Sequence, residues 1–312
     1  MASIIIPPAL QPGDLIGITC PAGYVASERI AHAVQVLQEW GYRVRVGNTI
    51  GIGDHYFAGH DDERLADLQS MLDDGEVRAV LMGRGGYGTS RIIDRLDFSA
   101  FRQRPKWICG FSDITVLHSH IHQQSGIATL HSPMCGAFTP ETENSDHILA
   151  FKAALGGALS HYHFEASPWN RPGTARGGIV GGNLAILAHL SGSASQLNTA
   201  GKILFIEDVG EHLYNIDRLL LNLKRSGQLD HLTGLMVGQF TDNQDTERPF
   251  GQTLEQIIND KVAEYGYPIA WNVPCGHDSI NITLPLGCTG TLTVGDAGAE
   301  LRFSSLQQIS SF

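Results

Sequence analysis

No stretch of this sequence approaches the roughly 20 consecutive apolar residues that a membrane-spanning helix needs, which argues against a helical membrane protein. Clustered Lys and Arg are missing too. With 21 basic against 32 acidic residues the formal net charge is -11. That disfavours nucleic acid as the main partner, because phosphate binding needs a basic patch. Cysteine is sparse: Cys20, Cys109, Cys135, Cys275 and Cys288 are odd in number, widely spaced and form no CxxC pair. A disulfide frame or a thiolate zinc site is therefore not expected, and a reducing compartment fits. The first ten residues lack a basic start and hold Pro7 and Pro8 where the apolar part of a signal peptide would lie. The expected location is the cytoplasm.

What is present is a core-forming chain with much glycine. Its 312 residues suggest two domains, and a hydrophobic content of 42% is enough to build their cores. The first half alternates short β-like runs with amphipathic stretches. Strands are predicted at Asp14–Thr19, Tyr42–Val46, Arg78–Met82 and Trp107–Phe111. Helices are predicted at Ser27–Trp40, with Ser27 as N-cap and Gly41 as stop, at Asp61–Leu72, near Arg91 and at Ile114–Gln123. Such alternation predicts an α/β domain over residues 1–155, with a mostly parallel sheet flanked by helices.

Residues 156–176 hold Gly, Pro, Ser and His and read as a linker. From 177 to 312 the expectation is a β-rich α+β domain. It has helices at Tyr214–Arg225, with Leu219, Leu220 and Leu223 in an apolar stripe, and at Leu254–Tyr265. The runs NITLPL, TGTLTV and AELRF within Ile280–Phe303 read as antiparallel strands.

Four segments could carry chemistry. In Gly110-Phe111-Ser112-Asp113 a buried strand ends and a helix begins, so Ser112 could be the nucleophile of a strained strand-to-helix turn, with the Asp113 N–H facing an oxyanion. It could equally be a helix N-cap. Arg84-Gly85-Gly86-Tyr87-Gly88 follows a strand. It reads as a phosphate cradle, as an oxyanion loop contributing Gly86, or as a plain turn. The apolar run Ile203–Ile206 leads into Glu207 and Asp208, which on a continuing strand point to opposite faces. His277 sits in a Gly-His-Asp turn. His118, His120 and His122 make a poor metal site, because only residues four apart share a helix face.

Taken together these segments resemble the murein LD-carboxypeptidase family of serine peptidases, which includes microcin C self-immunity peptidases. The resemblance rests on CPAG (Cys20–Gly23), RGGYG, GFSDIT (Gly110–Thr115), SPM (Ser132–Met134), GGNLA (Gly181–Ala185), FIEDVGEH (Phe205–His212) and GHDSINITLPLG (Gly276–Gly287), in that order. It implies a Ser112–His277–Glu207 triad and an oxyanion hole from the Gly86 and Asp113 amides, with no cofactor and no metal. It also implies an N-terminal domain like that of class I glutamine amidotransferases, an active site at the junction with the C-terminal domain, and a homodimer. The implied substrate is a murein tetrapeptide, cut before its terminal D-alanine during peptidoglycan recycling. A microcin-type aminoacyl-nucleotide amidase is the alternative within the family. Outside it, a non-catalytic nucleotide-binding module would use the Gly85–Gly88 loop, and a zinc hydrolase would need metal.

Overall fold

The computed structural model describes residues 4–304 and Leu306. The chain forms two compact units. Of the described residues, the first contains 4–159 together with Ile282–Pro285, and the second contains Ser160–Asn281 and Leu286–Ser304.

In the first unit, strands and helices follow in the order β1 (Leu15–Thr19), α1 (Glu28–Glu39), β2 (Arg43–Val46), α2 (Asp61–Asp73), β3 (Val77–Met82), α3 (Ser99–Gln103), β4 (Trp107–Gly110), α4 (Thr115–Ser125), β5 (Thr129–His131) and α5 (Asp146–Leu155). The strands lie in the order β5, β4, β3, β1, β2, and each neighbouring pair is parallel. β1 and β4 are buried along their whole length, as expected of a parallel sheet covered on both faces. The mostly parallel α/β organisation expected from the sequence is what the chain adopts.

Three local expectations need correction. Ser27 takes helical dihedrals and makes no side-chain cap bond, so α1 starts without the predicted cap. The segment around Arg91 forms two short 3-10 turns, Thr89–Arg91 and Ile93–Arg95, and not an α-helix. α5 was not anticipated, although Ile148, Phe151 and Leu155 recur at helical spacing and are buried.

The second unit contains β6 (His161–Phe164), β7 (Gly173–Asn183), α6 (Leu184–His189), β8 (Lys202–Val209), α7 (Leu213–Arg225), β9 (Gly234–Thr241), α8 (Leu254–Val262) and β10 (Ile269–Ala270). The strand β11 (Leu284–Leu286) lies next to β5 in the first sheet, and β12 (Thr289–Gly295) and β13 (Gly298–Phe303) complete the second. The second sheet runs β10-β9-β8-β7-β12-β13-β6. It is parallel from β10 to β7 and antiparallel from β7 to β6. Leu184, Leu187, Ile206, Ile216, Leu220 and Leu223 belong to one buried cluster that joins the helices to the parallel half. Truncating one such leucine to alanine costs about 2–5 kcal/mol.

The stretch 156–176 is not a plain linker. It contains β6 and the start of β7, and its exposed histidines sit on a strand at the sheet edge. Likewise LPL does not join TGTLTV and AELRF. Those two form the β12–β13 hairpin, whereas Leu284–Leu286 extends the first sheet. The alternating pattern marks a strand but carries no address for its sheet.

Candidate active site

Ser112 stands where β4 passes into α4, at the start of a 3-10 turn, Ser112–Ile114. Its φ is +64°, a left-handed conformation that a serine adopts only when its surroundings impose it. Neither the 3-10 turn nor α4 has a side-chain cap bond, so capping does not account for the serine. The turn is pinned from both sides. The Gly110 carbonyl accepts from the Ser132 N–H at 3.1 Å and from His118 Nε2 at 2.9 Å. His118 is fully buried in α4, and burial pushes its pKa down to about 4, which keeps the ring neutral with its proton on Nε2. Its role is a hydrogen bond to the elbow.

The glycine loop after β3 packs onto this turn. A Cβ on Gly85 would lie 2.8 Å from Ser112 Cβ and 3.1 Å from its Oγ, so only glycine permits the approach. The Gly85 carbonyl accepts from the Gly23 N–H at 3.0 Å. In a planar trans peptide the Gly86 N–H then points the opposite way, away from Gly23. Gly86 itself has a φ of +103°. The buried Asp113 carboxylate accepts from the Thr89 N–H at 2.8 Å, tying the end of the loop to the elbow.

Arg64 completes this scaffold and was not foreseen. It is fully buried in α2 and donates to the Pro21 carbonyl, to the Gly88 carbonyl at 3.0 Å and to Asp61. It thereby links the CPAG segment to the glycine loop. The sequence held a signal, since Arg64, Leu68 and Met71 share the buried helical face and a cation there needs partners.

In the second unit the structure brings Glu207 and His277 together. His277 Nδ1 donates to Glu207 Oε2 at 2.7 Å. Glu207 is fully buried and the His277 side chain is 17% exposed. A carboxylate only accepts, so the neutral ring carries its proton on Nδ1 and presents Nε2 as a base. Gly276 precedes the histidine with a φ of +146°, and a Cβ there would meet Glu207 Oε2 at 3.2 Å. Its N–H donates to Asn281 Oδ1 at 3.1 Å, a second support that sequence reading missed.

The neighbouring acids do different work. The Asp208 carboxylate accepts from Asn183 Nδ2 at 2.8 Å and from the Ala185 N–H at 2.9 Å, at the start of α6, and from the adjacent Val209 N–H at 2.9 Å. Burial pushes its pKa up to about 6. Glu211 accepts from Asn215 at the start of α7. Glu207 and Asp208 thus diverge as strand alternation requires. Among the described residues no group of three or more His, Cys, Asp or Glu is arranged to hold a metal ion, and no helix is long and apolar enough to cross a membrane.

The comparisons with known proteins show the family. A family model for the LD-carboxypeptidase N-terminal domain matches residues 16–132, and one for the LD-carboxypeptidase C-terminal domain matches residues 176–292. A probable murein peptide carboxypeptidase of Bacillus subtilis is 38% identical over 301 residues, covering 95% of this chain and 94% of that one. A murein tetrapeptide carboxypeptidase of Pseudomonas aeruginosa is 30% identical over 292 residues, covering 90% and 94%. A microcin C7 self-immunity protein of Escherichia coli is 27% identical over 316 residues, covering 89% and 90%. Among solved structures, a muramoyltetrapeptide carboxypeptidase from Oxalobacter formigenes superposes with a TM-score of 0.84 at 27% identity, covering 94% of this chain and all of that one. The chain belongs to the LD-carboxypeptidase family and is a serine-type hydrolase.

Proposed function

We propose that the protein hydrolyses the L,D-peptide bond of a murein tetrapeptide and releases its terminal D-alanine, with Ser112, His277 and Glu207 as one catalytic triad. The observation that carries this reading is the left-handed backbone of Ser112, with Gly85 packed against its side chain. A strained serine that caps nothing is what a nucleophile elbow requires. In the proposed mechanism His277 Nε2 takes the hydroxyl proton as Ser112 Oγ attacks the scissile carbonyl. Glu207 fixes the tautomer and stabilises the imidazolium. The Gly86 and Asp113 amides stabilise the oxyanion, each worth about 3–4 kcal/mol. The carbonyl then re-forms, His277 gives its proton to the departing amine, and water hydrolyses the acyl-enzyme by the same route.

Mass spectrometry of the tetrapeptide after incubation with the protein tests the reading. The expected products are the tripeptide and free D-alanine. An intact tetrapeptide, with cleavage of an aminoacyl-nucleotide analogue instead, would assign the chain to the microcin type. The reading carries with it a cytoplasmic role in peptidoglycan recycling and a homodimer, the latter open to sedimentation equilibrium.

A further inference from the structure

A cavity of about 550 Å³ opens in the first unit beyond the carboxyl ends of its parallel strands. The strand order gives it significance. β2 lies on one side of β1 and β3 on the other, so the chain reverses its direction of travel across the sheet at β1 and β3. The crevice beyond such a switch point is where open α/β sheets take their ligands. The walls come from Tyr24 and Val25 after β1, Gly83 and Arg84 after β3, Phe111 beside the nucleophile, and Arg29 in the first turn of α1. The lining holds two arginines and no acidic residue, in a chain of net charge -11. The electrostatics of α1 do not favour Arg29, because a cation in the first turn opposes the helix dipole. Arg84 Nη1 donates to the Tyr24 carbonyl at 2.8 Å, which fixes the guanidinium, and its other N–H groups have the capacity to serve a further acceptor.

Resting on the proposed peptidase reading, we propose that Arg84 receives the terminal carboxylate of the substrate, with Arg29 adding a second positive charge to the same cavity. Reach decides between this and a more distant part of the peptide. The leaving residue is a single amino acid, so its carboxylate lies one residue, about 3.5 Å along the chain, from the bond under attack. Arg84 is the residue next to Gly85, and Gly85 is the glycine packed against Ser112 Oγ. A guanidinium on that neighbour spans the remaining gap and matches a carboxylate with two parallel hydrogen bonds. The arrangement also accounts for an exopeptidase: a chain continuing past the scissile residue would place a neutral amide where the cavity selects a negative charge.

Calorimetry separates this proposal from the function on which it rests. The Ser112→Ala protein would be titrated with murein tetrapeptides, carrying diaminopimelate or lysine at the third position, and with the same peptides amidated only at the terminal D-alanine. The expected result is binding of the acids about 10- to 100-fold tighter than of the amides, the worth of a charged hydrogen-bonded contact. In Ser112→Ala/Arg84→Gln that preference is expected to disappear, while binding of the amides stays within about threefold. Equal binding of acid and amide, no detectable binding of the acids, or a preference that survives Arg84→Gln would each overturn it. Turnover by the unmodified protein is read separately. Its absence contradicts the peptidase reading and leaves the binding result to stand or fall alone.

Discussion

Ser112 is held chiefly through main-chain groups, whereas His277 is held by a side chain. Around Ser112 the supports are a left-handed φ, glycines at positions 85 and 110, and hydrogen bonds ending on the carbonyls of Gly85 and Gly110, one of them from the buried His118 ring. Around His277 the central support is one fully buried carboxylate, Glu207, at 2.7 Å. The two regions should therefore fail in different ways. The first is vulnerable to an added methyl group, which tests space and backbone strain. The second is vulnerable to an isosteric change of charge, which tests electrostatics and tautomer.

The largest effect is expected at the proposed nucleophile. Ser112→Ala should lower kcat by about 10⁴-fold or more, leaving the background supplied by binding and the oxyanion donors. Near-normal release of D-alanine by a folded variant would remove Ser112 from the account. Next comes the acid. Glu207→Gln should lower kcat by about 10³- to 10⁴-fold, because the amide supports the wrong tautomer and cannot stabilise the imidazolium. Asp208→Asn and Glu211→Gln should stay within about tenfold, since their partners lie at the starts of α6 and α7. A reversed order in steady-state kinetics would show the acid to be misassigned.

Added methyl groups sharpen the other side of the comparison. Gly85→Ala must displace Ser112, and Gly86→Ala must hold a φ of +103°. Each is expected to reduce kcat by about 10²-fold, the loss of one oxyanion donor or its equivalent in misplacement. The far-ultraviolet circular dichroism should be unchanged. Full activity in both variants would mean that the loop does not shape the nucleophile.

The smallest effect separates the units by pH. His118 has a folded pKa near 4 against an ordinary 6.5, so its contribution to stability is present above 6.5 and is lost as pH falls through 4. Asp208 has a folded pKa near 6 against 3.8, so its contribution is present below 3.8 and is lost as pH rises through 6. Between about pH 4 and 6 the two oppose each other. The thermal midpoint of wild type minus that of His118→Gln should rise with pH, and that of wild type minus Asp208→Asn should fall. Slopes of the same sign would contradict these environments.

Much of this was legible in the sequence because the signals were local. β1, β3, β4 and α7 follow from apolar runs and a leucine stripe, and the divergence of Glu207 from Asp208 follows from strand alternation. What escaped depends on distant partners. Arg64 went unread because its carbonyl acceptors, on Pro21 and Gly88, lie far from it in the sequence. Asn281 supports Gly276 only because the turn folds back on itself. Leu284–Leu286 reads as a strand, yet no local pattern says which sheet it completes. The polar edge strand His161–Phe164 lacks the buried alternation that would have distinguished it from a linker.

The central claim is that Ser112 and the Glu207–His277 pair act as one catalytic set, and a double-mutant comparison tests it most directly. Turnover of the murein tetrapeptide would be measured for Ser112→Ala, His277→Ala and the double variant. Groups that act as a unit lose their function together, so the double variant should retain the same residual activity as either single variant, within about tenfold. Losses that multiply in the double variant would show that the two residues contribute independently, and would contradict a shared mechanism.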